Sequence, residues 1–310
     1  MMVRPVVKSV FVLYPGYSLR DLNNKFKLMT LIAREWSGLK LFLSRLSNAL
    51  GKSNFEALGV DCIGVVQWPY ISKSWNSEDR FGVLASHYEV VAACWPQLLL
   101  LGRDESRVLS DLSKYSSGCS LVLDRPTWFM REGELVLNVF RGDLRVASIA
   151  FSLSRTEGEL CIFIGAVQGI HKGVDSETSL NTYRDLTKDF EGLRPRSFLI
   201  EVIKCIARAV GVSSIYAVGD GYRHHRHPYF GAEKANDLAA NYDVIWLEHG
   251  ATQSEREDFF AIPTASSRKS PDDISSKKRA MYRRRHELLD EVFAQVEAAL
   301  PSPQSASASA

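Results

Sequence analysis

The sequence predicts an α+β protein, in which a helical N-terminal part is followed by a mostly antiparallel sheet with crossing helices. Three observations support this fold class. The chain has 310 residues, of which 45% are hydrophobic, and this is enough for one full-sized core or two. Apolar residues recur at three-to-four spacing up to about residue 110, which is typical of amphipathic helices. From about residue 120 they alternate with polar residues, which is typical of strands with one buried face.

The predicted helical part covers residues 1–118. Its clearest apolar stripe consists of Leu22, Phe26, Met29, Ile32, Ala33 and Trp36. A second helical group is rich in aromatic residues, namely Trp68, Trp75, Phe81, Tyr88 and Trp95. Because aromatic side chains contribute much of the buried area of any core, we interpret this group as helix-packing surface and not as a cage for a ligand.

An α+β domain is predicted for residues 119–268. It begins with three short β-rich runs, ELVLNVF, LRVASIAFSL and LCIFIGAVQGI, which predict an antiparallel meander. The third run is almost entirely apolar, so its strand should be central and covered on both faces. A polar segment with helical spacing follows, with a stripe that consists of Leu180, Tyr183, Leu186 and Phe190.

The rest of this domain alternates between helices and strands. A clear helix begins at Pro195 and is capped by Gly211, as the preference for proline at the start and glycine at the end indicates. The run VSSIYAVGDG predicts a return strand, and a polar loop and a further helix follow it. The two runs DVIWLEHG and DFFAIPT are then expected to form a closing hairpin.

Residues 269–300 predict a basic amphipathic helix with an apolar stripe of Met281, Leu288, Leu289, Val292, Phe293 and Val296. Residues 301–310, PSPQSASASA, are predicted to be a disordered tail.

Composition excludes several classes of protein. A formal net charge of +2 produces no whole-protein field that would steer the chain to nucleic acid or anionic lipid. The five cysteines are scattered and odd in number, which favours a reducing compartment. Lys8 interrupts the apolar N-terminal stretch, and no uncharged run approaches the roughly 18 apolar residues of a spanning helix. We therefore expect a cytoplasmic protein without a transmembrane segment.

Five stretches in the second half of the chain resemble the VirK/YbjX family of bacterial proteins. They are GAVQG at 165–169, GLRPRSFLIEVI at 192–203, IYAVGDGYRHHRHPY at 215–229, YDVIWLEHG at 242–250 and KKRAMYRRRHELLD at 277–290. The resemblance implies a cytoplasmic protein tied to virulence, stress response, envelope integrity or resistance to cationic antimicrobial peptides, and it implies no settled reaction. Where that family has a glycine pair after the acid, this chain has His249-Gly250.

The order of predicted elements is also similar to the fold of acetyl-CoA-dependent acyltransferases (GNAT). In that fold the N-terminus of a helix binds the pyrophosphate of the cofactor. The resemblance implies acyl or aminoacyl transfer to a small molecule or envelope precursor, with acyl-CoA as a candidate cofactor, and the implied cofactor-binding residues are Gln168, Arg194, Arg196 and Ser197. The glycine-rich Arg/Gln-x-x-Gly-x-Gly/Ala loop of that family is absent, and its nearest counterpart is EGLRPRS.

The stretch GDGYRHHRHPYFG, residues 219–231, contains three of the seven histidines of the chain, together with two arginines and two tyrosines. Zinc or iron would suit a ligand set drawn from His224, His225, His227, Glu248 and His249. However, adjacent histidines in an extended loop tend to point apart, Arg223 and Arg226 add positive charge, and no HxxxH or CxxC pattern is present. We therefore predict no metal site.

Acid–base chemistry is the stronger hypothesis for this loop. His227 facing Glu248, with Tyr229 beside them, would form a base with an orienting carboxylate. The alternative stays open that His227 and Glu248 only form ion pairs with arginines of the last helix.

The basic last helix has two interpretations. Contact with a membrane surface or RNA would use Lys277, Lys278, Arg279, Arg283, Arg284 and Arg285. The alternative is a solvated basic face on a helix that packs its apolar side into the core. A non-enzymatic binding module is therefore the rival of the acyltransferase hypothesis.

Overall fold

A computed structural model describes residues 3–58, 61–99, 101–231, 240–266, 268, 272 and 274–301. It confirms the predicted α+β architecture: N-terminal helices precede an eight-stranded sheet that is antiparallel except at one pair. The N-terminal helices are α1 (Val3–Leu13), α2 (Leu19–Arg34), α3 (Trp36–Leu58), α4 (Asp61–Gly64) and α5 (Ser77–Cys94). Among the described residues, no helix has the length and apolarity that crossing a bilayer requires.

The apolar stripe predicted from Leu22 to Trp36 is right for Ile32, which is buried, and for Trp36, which packs against the core, and it is wrong for its other members. Leu28 and Ile32 turn toward the core, whereas Leu22, Phe26 and Met29 are exposed. Helix α2 has apolar residues on both sides, so its periodicity does not decide which side packs. The aromatic group is confirmed as core at Trp75, Phe81, Tyr88 and Trp95, all of which are buried.

The sheet has the order β1-β2-β3-β4-β5-β6-β8-β7. Its strands are β1 (Ser106–Asp111), β2 (Cys119–Asp124), β3 (Leu135–Arg141), β4 (Leu144–Thr156), β5 (Glu159–Gln168), β6 (Ser214–Val218), β7 (Thr252–Gln253) and β8 (Phe259–Ile262). Strand β5 is buried along nearly its whole length and lies between β4 and β6, as its apolar run predicts. It pairs antiparallel with β4 and parallel with β6.

Two elements differ from the sequence prediction. Strand β1 lies inside the region predicted to be helical, because its pairing with β2 outweighs the weak local pattern of SRVLSD. The run DVIWLE is not a strand: Tyr242–Glu248 form helix α8, whose N-terminus Asn241 caps by accepting the amides of Asp243 and Val244. The closing hairpin is instead formed by β7 and β8. The further helix predicted before it, and the tail after Pro301, lie outside the described residues.

Helices connect and cover the sheet. Helix α6 (Ser176–Asp189) and helix α7 (Pro195–Ala209) connect β5 to β6, and α7 packs against β3, β4 and β5. Gly211 adopts the left-handed conformation, with φ of 72°, that ends α7 as predicted. Helix α9 (Ser276–Ala299) packs against α7 and β1, and it buries Leu288, Leu289, Val292, Phe293 and Val296.

Candidate functional site

The carboxyl edge of the parallel pair β5–β6 carries Gln168, the first turn of α7 and the histidine-rich stretch. Strand β5 ends at Gln168 and β6 ends at Val218, and parallel strands end at one edge of a sheet. Helix α7 has to cross back between the two strands, so its N-terminus at Pro195 returns to this edge. The stretch GDGYRHHRHPYFG leaves β6 here and forms short 3₁₀ turns at Asp220–Tyr222, His224–Arg226 and Pro228–Phe230.

Four side chains meet at this edge, and we call them the edge cluster: Glu132, Gln168, His224 and His225. The Nδ1 atoms of His225 and His224 lie 3.6 Å and 3.9 Å from the same oxygen, Oε1 of Glu132. Gln168 Nε2 donates a hydrogen bond of 2.8 Å to the other carboxylate oxygen, Oε2. The side chains of Glu132 and His224 are buried, whereas His225 is 20% exposed. The cluster is therefore enclosed, with one imidazole that reaches the surface.

The geometry removes the first reason for which we predicted no metal site. We expected adjacent histidines to point apart, but His224 and His225 lie in a 3₁₀ turn that holds their ring centroids 3.7 Å apart. The carboxylate that faces them is Glu132, and not Glu248. Glu132 precedes β3 and is far from the histidines in sequence, so no spacing pattern could have identified it.

The second reason was the positive charge of Arg223 and Arg226. Asp220 pairs with both arginines and offsets one of the two positive charges. Arg223 Nη1 lies 3.4 Å from Asp220 Oδ1, and Arg226 forms an ion pair with Asp220 Oδ2. The Arg223 guanidinium also lies 3.7 Å from the ring centroid of Tyr242. Both arginines are therefore held by a carboxylate outside the edge cluster.

Ile71 joins two of the three chain segments that carry the edge cluster, the segment of Glu132 and the segment of His224. Its amide donates to the carbonyl oxygen of Arg131 at 2.8 Å, and its carbonyl oxygen accepts from the amide of His224 at 3.1 Å. To do so, Ile71 adopts a φ of 54°, an outlying conformation for a β-branched residue that costs of order 1–3 kcal/mol. Strain of this kind persists only where the surroundings impose it, and it is concentrated at functional sites.

His227 and Glu248, the predicted catalytic pair, have separate partners in this structure. His227 Nδ1 accepts the amide of Tyr229 at 3.0 Å, and burial, with the charge of Arg80, lowers the pKa of His227. Glu248 pairs with Arg194 at 3.2 Å. Within the described part of the chain, His227 and Glu248 share no hydrogen bond or ion pair. Because Nδ1 already accepts a hydrogen bond, neutral His227 has its proton on Nε2 and acts there as a donor.

Glu248 instead lines a polar cavity of about 230 Å³ beside the first turns of α7, together with Arg194, Ser197 and His249. His249 Nε2 lies 3.2 Å from Ser197 Oγ. Burial, followed by the charge of Lys204, lowers the pKa of His249 and favours the neutral imidazole. Two of the predicted cofactor-binding residues, Arg194 and Ser197, are thus at this cavity, whereas Gln168 belongs to the edge cluster.

Arg196, the remaining predicted cofactor-binding residue, lies at the end of β5. Its Nη2 is 2.6 Å from the position that a Cβ on Gly169 would occupy. The Nε of Arg196 is buried, and among the described residues it has no hydrogen-bond partner. The neighbouring Tyr242 is buried, and its hydroxyl accepts the amide of Val167 at 3.2 Å. Burial raises the pKa of Tyr242 well above its usual range, so the phenol keeps its proton.

The basic residues of α9 are partly used inside the molecule. Arg284 forms an ion pair with Glu191 at 2.7 Å, and Arg285 donates to the carbonyl oxygen of the same residue. Arg279 donates to the carbonyl oxygen of Ile274. The remaining members, Lys277, Lys278 and Arg283, are exposed.

Comparison with known proteins gives one family and several relatives. The family model described as "Protein of unknown function (DUF535)" matches residues 17–298, so the match also covers the N-terminal helices. The uncharacterized protein YbjX of Escherichia coli (strain K12) is 26% identical over 233 residues, which are 74% of this chain and 68% of that protein.

Two further relatives are uncharacterized proteins of Haemophilus influenzae. One is 30% identical over 126 residues, which are 41% of this chain and 40% of that protein. The other is 30% identical over 122 residues, which are 39% of each chain. No solved structure matches the chain.

Proposed function

The chain belongs to the DUF535 family, and from this premise we propose an activity that its own geometry supports: acyl transfer from a thioester donor such as acyl-CoA. The observation that carries the proposal is that β5 and β6 stop pairing at the edge to which the first turn of α7 points. The VirK/YbjX resemblance suggests an envelope precursor as acceptor, and it suggests envelope stress, virulence or resistance to cationic antimicrobial peptides as the setting.

We place an extended donor at the point where the strand pairing ends. Pairing between β5 and β6 ends at Ile164 and Ala217, although β5 continues to Gln168. Beyond this point the amide of Val167 donates to the side chain of Tyr242 instead of to a strand. An extended chain with amide groups, such as the pantetheine arm of coenzyme A, binds the edge of a strand as a peptide does.

The first turn of α7 offers a site for the phosphates of such a donor. No side chain caps this helix, so its first amides are available to an anion, which the helix dipole also attracts. Arg196 adds a guanidinium whose buried Nε is without a partner among the described residues. Arg194 is less suited, because it is highly exposed and already pairs with Glu248.

Tyr242 is placed to act as the acid of the transfer. The reaction breaks the C–S bond of the thioester and joins the acyl carbon to a nitrogen or oxygen of the acceptor. The sulfur leaves as a thiolate that must gain a proton, and the acceptor must lose one. The hydroxyl of Tyr242, which contacts the amide of Val167 beyond the end of the strand pairing, is the group to which we assign protonation of the thiolate. The phenolate that remains can take up the proton that the acceptor loses, and this restores Tyr242.

Donor binding is tested with Arg196→Ala, and Arg208→Ala on the last turn of the same helix is the matched control. Acetyl-CoA and longer acyl-CoAs should raise the Tm of the wild type and of Arg208→Ala. Arg196→Ala should weaken binding about 10- to 100-fold, because a charged hydrogen bond contributes roughly 1.5–3 kcal/mol. No response of the wild type to any acyl-CoA would contradict the proposal.

The role of Tyr242 is tested with Tyr242→Phe, which keeps the ring and removes the hydroxyl. Release of free coenzyme A thiol from acyl-CoA should slow about 10²- to 10⁴-fold, the range that a positioned acid contributes. The Tm response to acyl-CoA should persist, because the phenol acts on the departing sulfur. Equal thiol release in both proteins would remove Tyr242 from the mechanism.

A second candidate function is binding to an anionic bilayer, and the exposed face of α1 and α2 favours it. Large apolar side chains are exposed there, namely Phe11, Val12, Tyr17, Leu19, Leu22, Phe26 and Met29. Exposed cations Lys8, Arg20 and Lys27 flank them. Apolar side chains bordered by cations are typical of surfaces that enter the headgroup region of anionic membranes.

Vesicle cosedimentation tests this candidate. Phe26→Ser should reduce binding to vesicles that contain phosphatidylglycerol, whereas Arg284→Glu on α9 should have a smaller effect, because Arg284 already pairs with Glu191. Binding should weaken as salt is raised. Equal sedimentation with neutral vesicles, or binding to RNA alone, would refute it.

A further inference from the structure

We propose that the edge cluster binds a divalent transition-metal ion through Oε1 of Glu132 and the Nδ1 atoms of His224 and His225. The proposal concerns the cluster beside the proposed donor groove. However, its evidence and its test are independent of any thioester donor.

The spacing of the three atoms suits a common ion. They all lie within 4.8 Å of one another. Two ligands bound tetrahedrally at about 2.1 Å from an ion are about 3.4 Å apart. Glu132 Oε1 lies 3.6 Å from the Nδ1 of His225 and 3.9 Å from that of His224. These two distances exceed the tetrahedral value by about 0.2 and 0.5 Å, and the ligand nitrogens of the two histidines lie within 4.8 Å of each other, so closing the site requires side-chain movements of up to about 1.4 Å.

The ligand types indicate the class of ion. Two imidazole nitrogens and one carboxylate oxygen suit Zn²⁺ or Fe²⁺, and they suit Mg²⁺ and Ca²⁺ poorly, because those ions prefer oxygen ligands alone. Three protein ligands leave at least one coordination position for water or for a substrate atom. His225 is the partly exposed member of the ligand set.

Neighbouring groups orient the proposed ligands through hydrogen bonds, as is typical of residues that surround the ligands of a metal site. Gln168 donates to Oε2 of Glu132, which directs the remaining oxygen, Oε1, toward the imidazoles. Ile71 joins the backbone next to Glu132 to the backbone of His224 through two hydrogen bonds. Groups of this kind typically change metal affinity 10- to 100-fold when they are replaced.

The nearby charges are compatible with an added cation. Arg223 and Arg226 form ion pairs with Asp220, which lies outside the ligand set. Arg131 stacks on aromatic rings, with its guanidinium 4.6 Å from the ring centroid of Trp68. The carboxylate of Glu132 therefore brings negative charge to the ligand set, while Arg223, Arg226 and Arg131 have partners outside it and Arg196 lies at the end of β5.

Metal titration of the full chain tests the proposal. After treatment with a chelator, the wild type should bind one equivalent of Zn²⁺, and Co²⁺ should produce the visible absorption bands of a low-coordinate site. His225→Ala and Glu132→Gln should each weaken binding about 100-fold or more, which exceeds the usual effect of an outer group. His171→Ala is the matched control, because His171 follows β5 at the same edge and lies outside the ligand set.

Each outcome decides for or against the site. Absence of bound Zn²⁺, Co²⁺ and anaerobically added Fe²⁺ in the wild type would overturn it, as would wild-type affinity in both ligand variants. If Glu132→Gln fails to fold, His225→Ala still decides, since its imidazole is partly exposed. Metal binding without any Tm response to acyl-CoA would leave the ion site in place and refute only the proposed transfer reaction.

Discussion

Gly165 provides a direct test of how Glu132 is held over β5. A Cβ added at Gly165 would lie 2.1 Å from the carbonyl oxygen of Glu132 and 3.0 Å from Cγ1 of Ile71. The first of these atoms belongs to the backbone, so the contact cannot be relieved by a change of rotamer. Gly165→Ala therefore forces the Glu132 segment away from β5, the strand that carries Gln168.

The size of the effect follows from these distances. A carbon and a carbonyl oxygen normally approach no closer than about 3.3 Å, so the Glu132 backbone has to move by about 1.2 Å. Overpacking a buried site costs typically 1–3 kcal/mol, and we expect a loss of about 3 kcal/mol here because β5 is buried and central. A shift of this size also disrupts the 2.8 Å bond from Gln168 to Glu132.

Urea unfolding and Zn²⁺ titration measure the two consequences separately. Gly82→Ala is the matched control, because a Cβ there meets nothing within 4 Å and Gly82 lies inside α5. That change should stabilise the protein by about 1 kcal/mol through helix propensity. If the free energy of unfolding of Gly165→Ala is within about 0.5 kcal/mol of that of the wild type, and Zn²⁺ binding is unchanged, our account of the contact between Gly165 and the Glu132 backbone is wrong.

Two further predictions concern buried titratable groups. His87 Nδ1 accepts the amide of Leu153, and burial, with the charge of Arg125, lowers the pKa of His87 to about 3. The unfolded chain protonates this histidine near pH 6.5 and the folded chain only near pH 3, so lowering the pH between these values should reduce the free energy of unfolding by about 1.4 kcal/mol per unit. His87→Gln keeps an acceptor without titrating and should remove that part of the slope in urea titrations; an unchanged slope would contradict this. Lys204→Met leaves Glu201 without its buried partner at 3.1 Å and should cost about 3–5 kcal/mol in urea unfolding, most of it recovered by also replacing Glu201 with Leu. A loss below about 1 kcal/mol would show that the pair is not buried as described.

The elements with a strong local sequence pattern are the ones that the sequence predicts correctly. The apolar run of β5 predicted a central strand, and Pro195 with Gly211 predicted the limits of α7 to within a residue or two. These successes depend on interactions between neighbours in the chain, which sequence spacing records directly.

The predictions were wrong where a helix has apolar residues on both sides, and where a run of residues is compatible with both a strand and a helix. Helix α2 offers apolar residues on both sides, and packing selected Leu28 and Ile32 while Phe26 remained exposed. The run DVIWLE is compatible with a strand, but Asn241 caps it as a helix and Trp246 is buried with its Nε1 bonded to the carbonyl oxygen of Val218. In both cases the free energy of burial, and not the local pattern, decided the outcome.

The candidate site likewise has one part that local sequence patterns predict and one part that they do not. The histidine-rich stretch after β6 and the start of α7 can be located from periodicity, because each lies next to a recognisable element. The meeting of Glu132 with His224 cannot, since it depends on the order of strands in the sheet, on the hydrogen bonds of Ile71 and on the absence of a side chain at Gly165. Local patterns specify which residues are buried within an element. Only the packing of distant elements brings a carboxylate and two imidazoles within reach of one ion.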